Sequence, residues 1–396
     1  MSVERPGTPF VPEPSPEDVV PPGPLPAGSV DPLPGLPLDP LRGLRPAGAP
    51  PVDLFVAGTV FFDMIFSGLS ARPSLGTEVL TQGLGSGPGG VANLAVAARR
   101  LGLRTSLASA FGEDVYGDYL WSTLVEQERV DLSPSRRFPG WATPVTVSLA
   151  YDRDRSMVTY QEPSPLGLDA LVGEPPAALA CLTDLGGCGV EWARRARQAG
   201  AMLFAGACWD PTGAWSPDLL ARLDGCEALL VNLAEASAYA RTRDVRRALA
   251  RLAEHVPVVV ITCGRDGAQA VDARTGEYVA EPGLAVRALD PTGAGDVFAA
   301  SFVLGTLAGW PLAPRLRFAN LAAGLSVGHY GGSLGAPCWH VVAEWWARTC
   351  AAPGSDDRMR AAYGFVADLL PADIVPDVPR ATPTIRLRVP EPRPAS

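Results

Sequence analysis

The chain contains no lysine: all 33 basic residues among its 396 are arginine. That absence removes several chemistries at once. A Walker-type phosphate loop, a lysine Schiff base and a Ser-Lys dyad all require an ammonium on a flexible stem. Positive charge is scarce overall, since 42 acidic residues bring the formal net charge to -9. A nucleic-acid surface needs a basic stripe to displace counterions from phosphates, so no nucleic-acid partner is expected. Histidine is scarcer still, and His255, His329 and His340 have no metal-ligand spacing. The seven cysteines include no C-x-x-C pair, which argues against zinc and suits free thiols in a reducing compartment. No apolar run approaches the roughly 20 residues that span a bilayer. No charged-then-apolar leader opens the chain, so a cytoplasmic protein without a membrane partner is expected.

Glycine (42) and proline (41) are plentiful but unevenly placed. Residues 1–51 are crowded with both and nearly without aromatics. Such a stretch cannot bury enough surface to offset its ordering entropy, and it reads as a disordered arm. The globular body is expected over 52–350. Residues 351–396 form a partly disordered extension, with a short helix over 358–370 and a Pro-rich end.

Within the body, apolar strands alternate with helical periodicity. Residues 52–60 form a continuous apolar run, the pattern of a buried parallel strand. Residues 90–101 have helical spacing and stop before Gly102. Short apolar strands over 202–205, 228–231 and 256–262 alternate with helices around 192–198 and 245–254. Helices over 296–308, 314–329 and 340–349 follow. This alternation predicts an α/β fold, a three-layer α/β/α sheet covered on both faces. A hairpin over 145–151 and 157–161 and a strand near 78–83 do not fit that sheet and suggest a small β-lid. A helix is also expected over 115–128.

The chemistry centres on Asp290-Pro291-Thr292-Gly293-Ala294-Gly295-Asp296, which leads into the apolar run Val297-Phe298-Ala299-Ala300. A Gly-Ala-Gly turn opening a helix exposes backbone N–H groups at the positive end of the helix dipole. That is a site for a transferring phosphoryl group. Asp296 in the first turn can accept the proton of an attacking hydroxyl beside it. A plain helix cap after a Gly-rich turn would show the same string.

This segment resembles the C-terminal signature of the ribokinase-like (PfkB) carbohydrate kinases, commonly D-T-x-G-A-G-D, with Pro291 where that family usually has Thr. The resemblance extends over nearly all of 52–349. Gly87-Pro88-Gly89-Gly90-Val91-Ala92-Asn93 is similar to the family's Gly-Gly-x-x-Asn segment, and Asp63 to its early substrate-binding Asp. The resemblance therefore implies that Asp63, Gly89, Gly90 and Asn93 hold sugar hydroxyls. Asn232-Leu233-Ala234-Glu235 is similar to the N-x-x-E motif. It implies that Asn232 and Glu235 hold Mg²⁺ through water, although the same spacing makes a capping box. Thr262-Cys263-Gly264-Arg265-Asp266-Gly267 resembles the turn beside the nucleotide, so Thr262, Gly264 and Gly267, with Asp290 and Asn320, are expected to bind the cofactor ATP. A monovalent cation remains open, because Asp290 is available but Gly335 stands where many members have Ser. Arg137 and Arg265 are candidates for a cationic phosphate contact. Asp210-Pro211-Thr212-Gly213-Ala214 echoes the signature without its catalytic carboxylate.

The resemblance implies a ribokinase-like fold and an ATP-dependent phosphotransferase acting on a hydroxyl of a small sugar-like substrate. A nucleoside kinase shares every motif, and a non-catalytic sugar or nucleotide sensor would share the fold. A homodimer through the lid is a further expectation.

Overall fold

The computed structural model describes residues 38–151, 154–186, 190–207, 210, 213–351, 357–370 and 381. Most of the Pro-rich arm, the tip of the hairpin expected over 145–161, Pro211-Thr212 of the echo and nearly all of 371–396 lie outside the described residues.

Eight strands form the main sheet. Six are mutually parallel: β1 (Val52–Ala57), β4 (Thr105–Ala108), β9 (Ala178–Asp184), β10 (Met202–Gly206), β11 (Cys226–Asn232) and β12 (Val258–Thr262). Two more, β13 (Ala268–Asp272) and β14 (Glu277–Glu281), continue it antiparallel, giving the order β14-β13-β12-β11-β10-β9-β1-β4. Side chains alternate between the faces of this sheet, and the core divides accordingly. Leu54, Val56, Val258 and Val260 join one apolar cluster, whereas Phe55, Ala57, Val259 and Ile261 join the other. Helices α1 (Val91–Arg100), α7 (Ala294–Leu307), α8 (Leu312–Ser326) and α9 (Trp339–Ala351) cover the first face. Helices α4 (Glu191–Gln198), α5 (Leu233–Tyr239) and α6 (Val245–Leu252) cover the second. Helix α7 has no polar face and is enclosed over Val297–Gly305, as expected of a helix apolar on every side. The three-layer expectation holds.

A second sheet, in the order β3-β2-β7-β8, contains β2 (Val60–Ser67), β3 (Gly83–Gly90), β7 (Val145–Tyr151) and β8 (Asp154–Tyr160). The run over 52–60 is thus two strands that belong to different sheets. Asp63 lies inside β2. The strand expected near 78–83 is displaced to Gly83–Gly90, a glycine-rich run whose composition disfavours a strand. Remaining elements are the parallel pair β5 (Ala110–Gly112) and β6 (Arg136–Phe138), and helices α2 (Val115–Ser122), α3 (Leu168–Val172), α10 (Asp357–Tyr363) and α11 (Phe365–Leu369). The helix expected over 115–128 ends as α2 and continues as a π-helical turn, Thr123–Gln127. The helix expected over 358–370 divides at Gly364.

Packing begins before Val52. Leu41 is 1% exposed in the core, and Arg45 forms a bidentate pair with buried Asp53 at 2.7 Å on each oxygen. Arg104 closes the other side of the same carboxylate. Burial alone would push Asp53 up, but these hydrogen bonds outweigh it and hold its carboxyl below the usual range. Among the described residues, no helix is long and apolar enough to cross a membrane.

Candidate active site

The carboxyl ends of the parallel strands carry the candidate nucleotide residues. Successive strands leave β1 on both sides, to β4 and to β9. This is the switch point at which open α/β sheets form a binding crevice. Along that edge, Asp184 on β9 stands opposite Gly206 on β10, and Asn232 on β11 stands opposite Thr262 on β12. Helix α7 packs against β9, and the charge of Asp296 in its first turn acts on Glu235 just after β11, so its N-terminus lies at the same edge.

That N-terminus starts with Gly293 at φ 74, a left-handed conformation that a side chain would strain. Ala294 and Gly295 follow, and Asp296 occupies the third helical position. The first-turn N–H groups of a helix lack intrahelical acceptors. Here Ala294 donates to the Pro291 carbonyl at 3.3 Å, so its amide is partly spent on the turn. A Cβ on Gly295 would meet nothing within 4 Å, leaving its backbone approachable. Asp290 underlies this turn. It is 2% exposed, and its carboxylate accepts from Thr292 N (2.9 Å), Gly331 N (3.1 Å) and Gly332 N (3.3 Å). Its place is that of a strut joining the loop before α7 to the loop after α8. A Cβ at Gly335 would lie 2.7 Å from the Ser326 carbonyl oxygen, so a serine does not fit there without a shift.

The acceptor-side candidates converge on α7 from the second sheet. A Cβ on Gly89 would fall 2.1 Å from the Asp63 carboxyl group, so this side chain lies across the bare backbone of β3. Asp63 pairs in register with Gly87 and with Thr146. Gly90, at φ 61, caps α1 with its backbone against Thr59. Asn93 is 5% exposed in the first turn of α1. A Cβ built on Gly293 would lie 3.3 Å from its Oδ1, and one on Gly332 would lie 3.4 Å from it. Asn93 thus joins the acceptor strands to the α7 turn.

On the nucleotide side, Asn232 and Glu235 make a reciprocal capping box. Asn232 Oδ1 accepts from Glu235 N, and Glu235 Oε2 accepts from Asn232 N, both at 2.9 Å. The cap engages one of the two carboxylate oxygens. Burial pushes the Glu235 carboxyl up to about 7 against the Asn232 hydrogen bond, and the charges of Asp184 and Asp296 push the same way. The three carboxylates are therefore electrostatic neighbours. Such a cluster fits a hard divalent cation. Among the described residues no three His, Cys, Asp or Glu side chains gather closely enough to hold a metal directly. These residues therefore fit a hydrated ion completed by phosphate oxygens. Asp184 was missed at the sequence level because Thr183-Asp184-Leu185-Gly186 carries no motif; only strand register places it here.

The remaining candidates occupy supporting positions. Gly264 (φ 58) and Gly267 (φ 91) shape the turn after Thr262, where a Cβ at 267 would strike the Glu281 carbonyl at 2.1 Å. Asn320 donates both amide hydrogens to backbone carbonyls, Glu281 at 3.0 Å and Pro282 at 3.1 Å. It holds the end of β14 against α8. Arg137 pairs with Asp118 and lies over the Trp121 ring, on β6 opposite Phe111. Arg265 is exposed on the turn after β12. Asp210 accepts from Trp215 N at 2.7 Å and closes its own loop.

The pfkB family carbohydrate kinase profile matches residues 64–338. The chain belongs to that family. It is an ATP-dependent kinase of the sugar- and nucleoside-phosphorylating group. A 5-dehydro-2-deoxygluconokinase of Geobacillus thermodenitrificans is 24% identical over 70% of this chain and 88% of its own length. A nucleoside kinase of Methanothermobacter thermautotrophicus is 28% identical over 69% and 89%. Among solved structures, the Arabidopsis thaliana ribokinase complexed with ribose and ATP superposes with a TM-score of 0.59 at 21% identity. That match covers 75% of this chain and 98% of that one. The ribokinase-like fold follows.

Proposed function

We propose that this kinase transfers the γ-phosphoryl group of ATP to a hydroxyl of a small sugar-like acceptor, with Asp296 as general base. One observation carries the reading. Asp296 sits in the first turn of α7, at an N-terminus that Asn93 joins to the strands bearing Asp63 and Gly89. The acceptor is held by Asp63, Asn93 and the backbone of Gly89 and Gly90, because a carboxylate and an amide together satisfy vicinal hydroxyls. Asp296 takes the hydroxyl proton as the acceptor oxygen bonds to the γ-phosphorus. The bond from that phosphorus to the bridging oxygen breaks, and ADP leaves with the electron pair. The Gly293 and Gly295 end of α7 stabilises the charge on the equatorial oxygens. Asn232 and Glu235, with Asp184 beside them, would hold a magnesium ion. When bound, that ion neutralises charge on the ATP phosphates. The sheet β3-β2-β7-β8 acts as a lid that excludes water from the reaction. The protein works in the cytoplasm, and the exposed Met157, Val158 and Tyr160 of β8 form a homodimer face, to be checked by light scattering.

Asp296→Asn preserves size and is expected to lower turnover at least 10³-fold while the fold and nucleotide binding persist. Turnover within tenfold of wild type would overturn the assignment. A nucleoside acceptor is the second reading, favoured by the similarity to the archaeal nucleoside kinase. ADP release measured with ribose, fructose, 2-keto-3-deoxygluconate and adenosine separates the two. Calorimetric binding of one of these without any ADP release would instead indicate a sensor.

A further inference from the structure

Helix α1 has a second polar contact with the active-site loops, at its other end. Arg100 lies seven residues after Asn93, on the same helix face. Its side chain is 4% exposed. Its Nε and Nη2 hold Glu128 in a bidentate pair at 2.9 and 2.6 Å. Its Nη1 donates to two backbone carbonyls, Leu334 and Ala336, both at 2.9 Å. Ala381, from the C-terminal extension, donates its N–H to Glu128 Oε1 at 3.0 Å. The carboxylate is thus fully engaged, and the guanidinium is fixed in one orientation.

The loop gripped by Arg100 is the one whose other end touches the α7 turn. Gly331 and Gly332 donate to Asp290, and a Cβ on Gly332 would meet Thr292 and Asn93 within 3.4 Å. Leu334 packs against Gly87 of β3. The segment 331–336 therefore runs along one face of α1, from Asn93 to Arg100, and forms a wall shared by the acceptor strands and the phosphoryl site.

We infer that Arg100 is a positioning residue for phosphoryl transfer: oriented by Glu128, it sets the height of the 331–336 loop against the α7 N-terminus. The inference rests on the reading of that N-terminus as the phosphoryl site. The pair is buried, so losing only the cation would strand a carboxylate and could unfold the protein. The test therefore uses Arg100→Met, the charge-free double variant Arg100→Met/Glu128→Leu, and Arg100→Lys. Turnover is measured per folded molecule, below each variant's Tm, with the best acceptor of the panel above. A tenfold or greater loss of kcat is expected in both Met variants, with acceptor KM changed less than threefold. The lysine variant should recover part of the loss, and amide exchange at Gly331 and Gly332 should accelerate in the Met variants. A purely structural role would lower Tm and leave kcat per folded molecule unchanged. A folded double variant with kcat within twofold of wild type, or with wild-type exchange at those two amides, would overturn the inference. Asp296→Asn measured alongside keeps the readings separable, since its survival would fault the site reading and leave the loop measurement standing.

Discussion

Glu235 gives the kinase a pH dependence that a divalent cation should reverse. Burial pushes its carboxyl from an ordinary 4.5 up to about 7. The folded state therefore binds this proton more tightly than the unfolded chain does. Stability contributed by the protonated form is complete below about pH 4.5 and declines as pH rises toward 7, above which the penalty is constant. Raising the carboxyl from 4.5 to about 7 corresponds to at most about 3.4 kcal/mol. The side chain is only partly buried, so solvent screening reduces this to about 1–2 kcal/mol. At roughly 2 °C per kcal/mol for a body of this size, the loss is about 2–4 °C in Tm. Other groups titrate over the same range, so the assay compares wild type with Glu235→Gln, which keeps the acceptor oxygen of the capping box and loses the charge. In EDTA, the Tm of the variant relative to wild type should climb by about 2–4 °C between pH 5 and pH 8. In millimolar Mg²⁺ with ADP the climb should shrink or reverse, because the cation favours the ionised wild-type carboxylate. A difference that stays flat within 0.5 °C across that range in EDTA would refute the buried-carboxylate reasoning.

Three further outcomes follow from particular contacts. Gly89→Ala places a methyl group 2.1 Å from the Asp63 carboxyl position; acceptor KM should rise at least tenfold while nucleotide affinity measured by calorimetry is unchanged. Asp290→Asn replaces one acceptor of backbone N–H groups with a donor. It should cost about 2–3 kcal/mol, read as a Tm drop of roughly 4–6 °C, and lower kcat because the Gly331 and Gly332 tie weakens. Arg45→Ala removes one of the two partners that hold the Asp53 carboxyl low. A depressed carboxyl contributes stability above its unfolded value of about 4, and that stability is lost as pH falls. The Tm gap between wild type and Arg45→Ala should therefore narrow below pH 4, and a gap that widens there would contradict it.

The alternation of elements and the identity of the α7 turn were legible because each depends on local signals. Apolar runs of strand length, helical spacing and a Gly-Ala-Gly turn before an apolar helix are properties of neighbouring residues. The capping box at Asn232 and Glu235 was legible as a pair, but not its surroundings. Burial raises Glu235 most, and the charges that add to it come from Asp184 and Asp296, on elements distant in sequence. Asn320 and Asp290 were picked out as important positions, yet their partners are the backbone of β14 and of the loop after α8. Contacts of that kind leave no trace in local sequence pattern.

Strand β3 shows most clearly where local reading stops. Gly83-Leu84-Gly85-Ser86-Gly87-Pro88-Gly89-Gly90 has little strand propensity, since glycine loses the most entropy on ordering and offers no side chain to pack. Its extended form is imposed by what must come close to it. A Cβ at Gly83 would lie 2.4 Å from the Ser67 hydroxyl, one at Gly87 3.0 Å from Leu334, and one at Gly89 2.1 Å from the Asp63 carboxyl. Each glycine makes room for a different neighbour: the adjoining strand, the loop over 331–336, and the Asp63 carboxylate. The feature that weakens β3 as a strand is therefore the feature that lets Asp63 and the 331–336 loop approach one another. A more strand-like sequence in this segment would stabilise the second sheet and push the acceptor side away from α7.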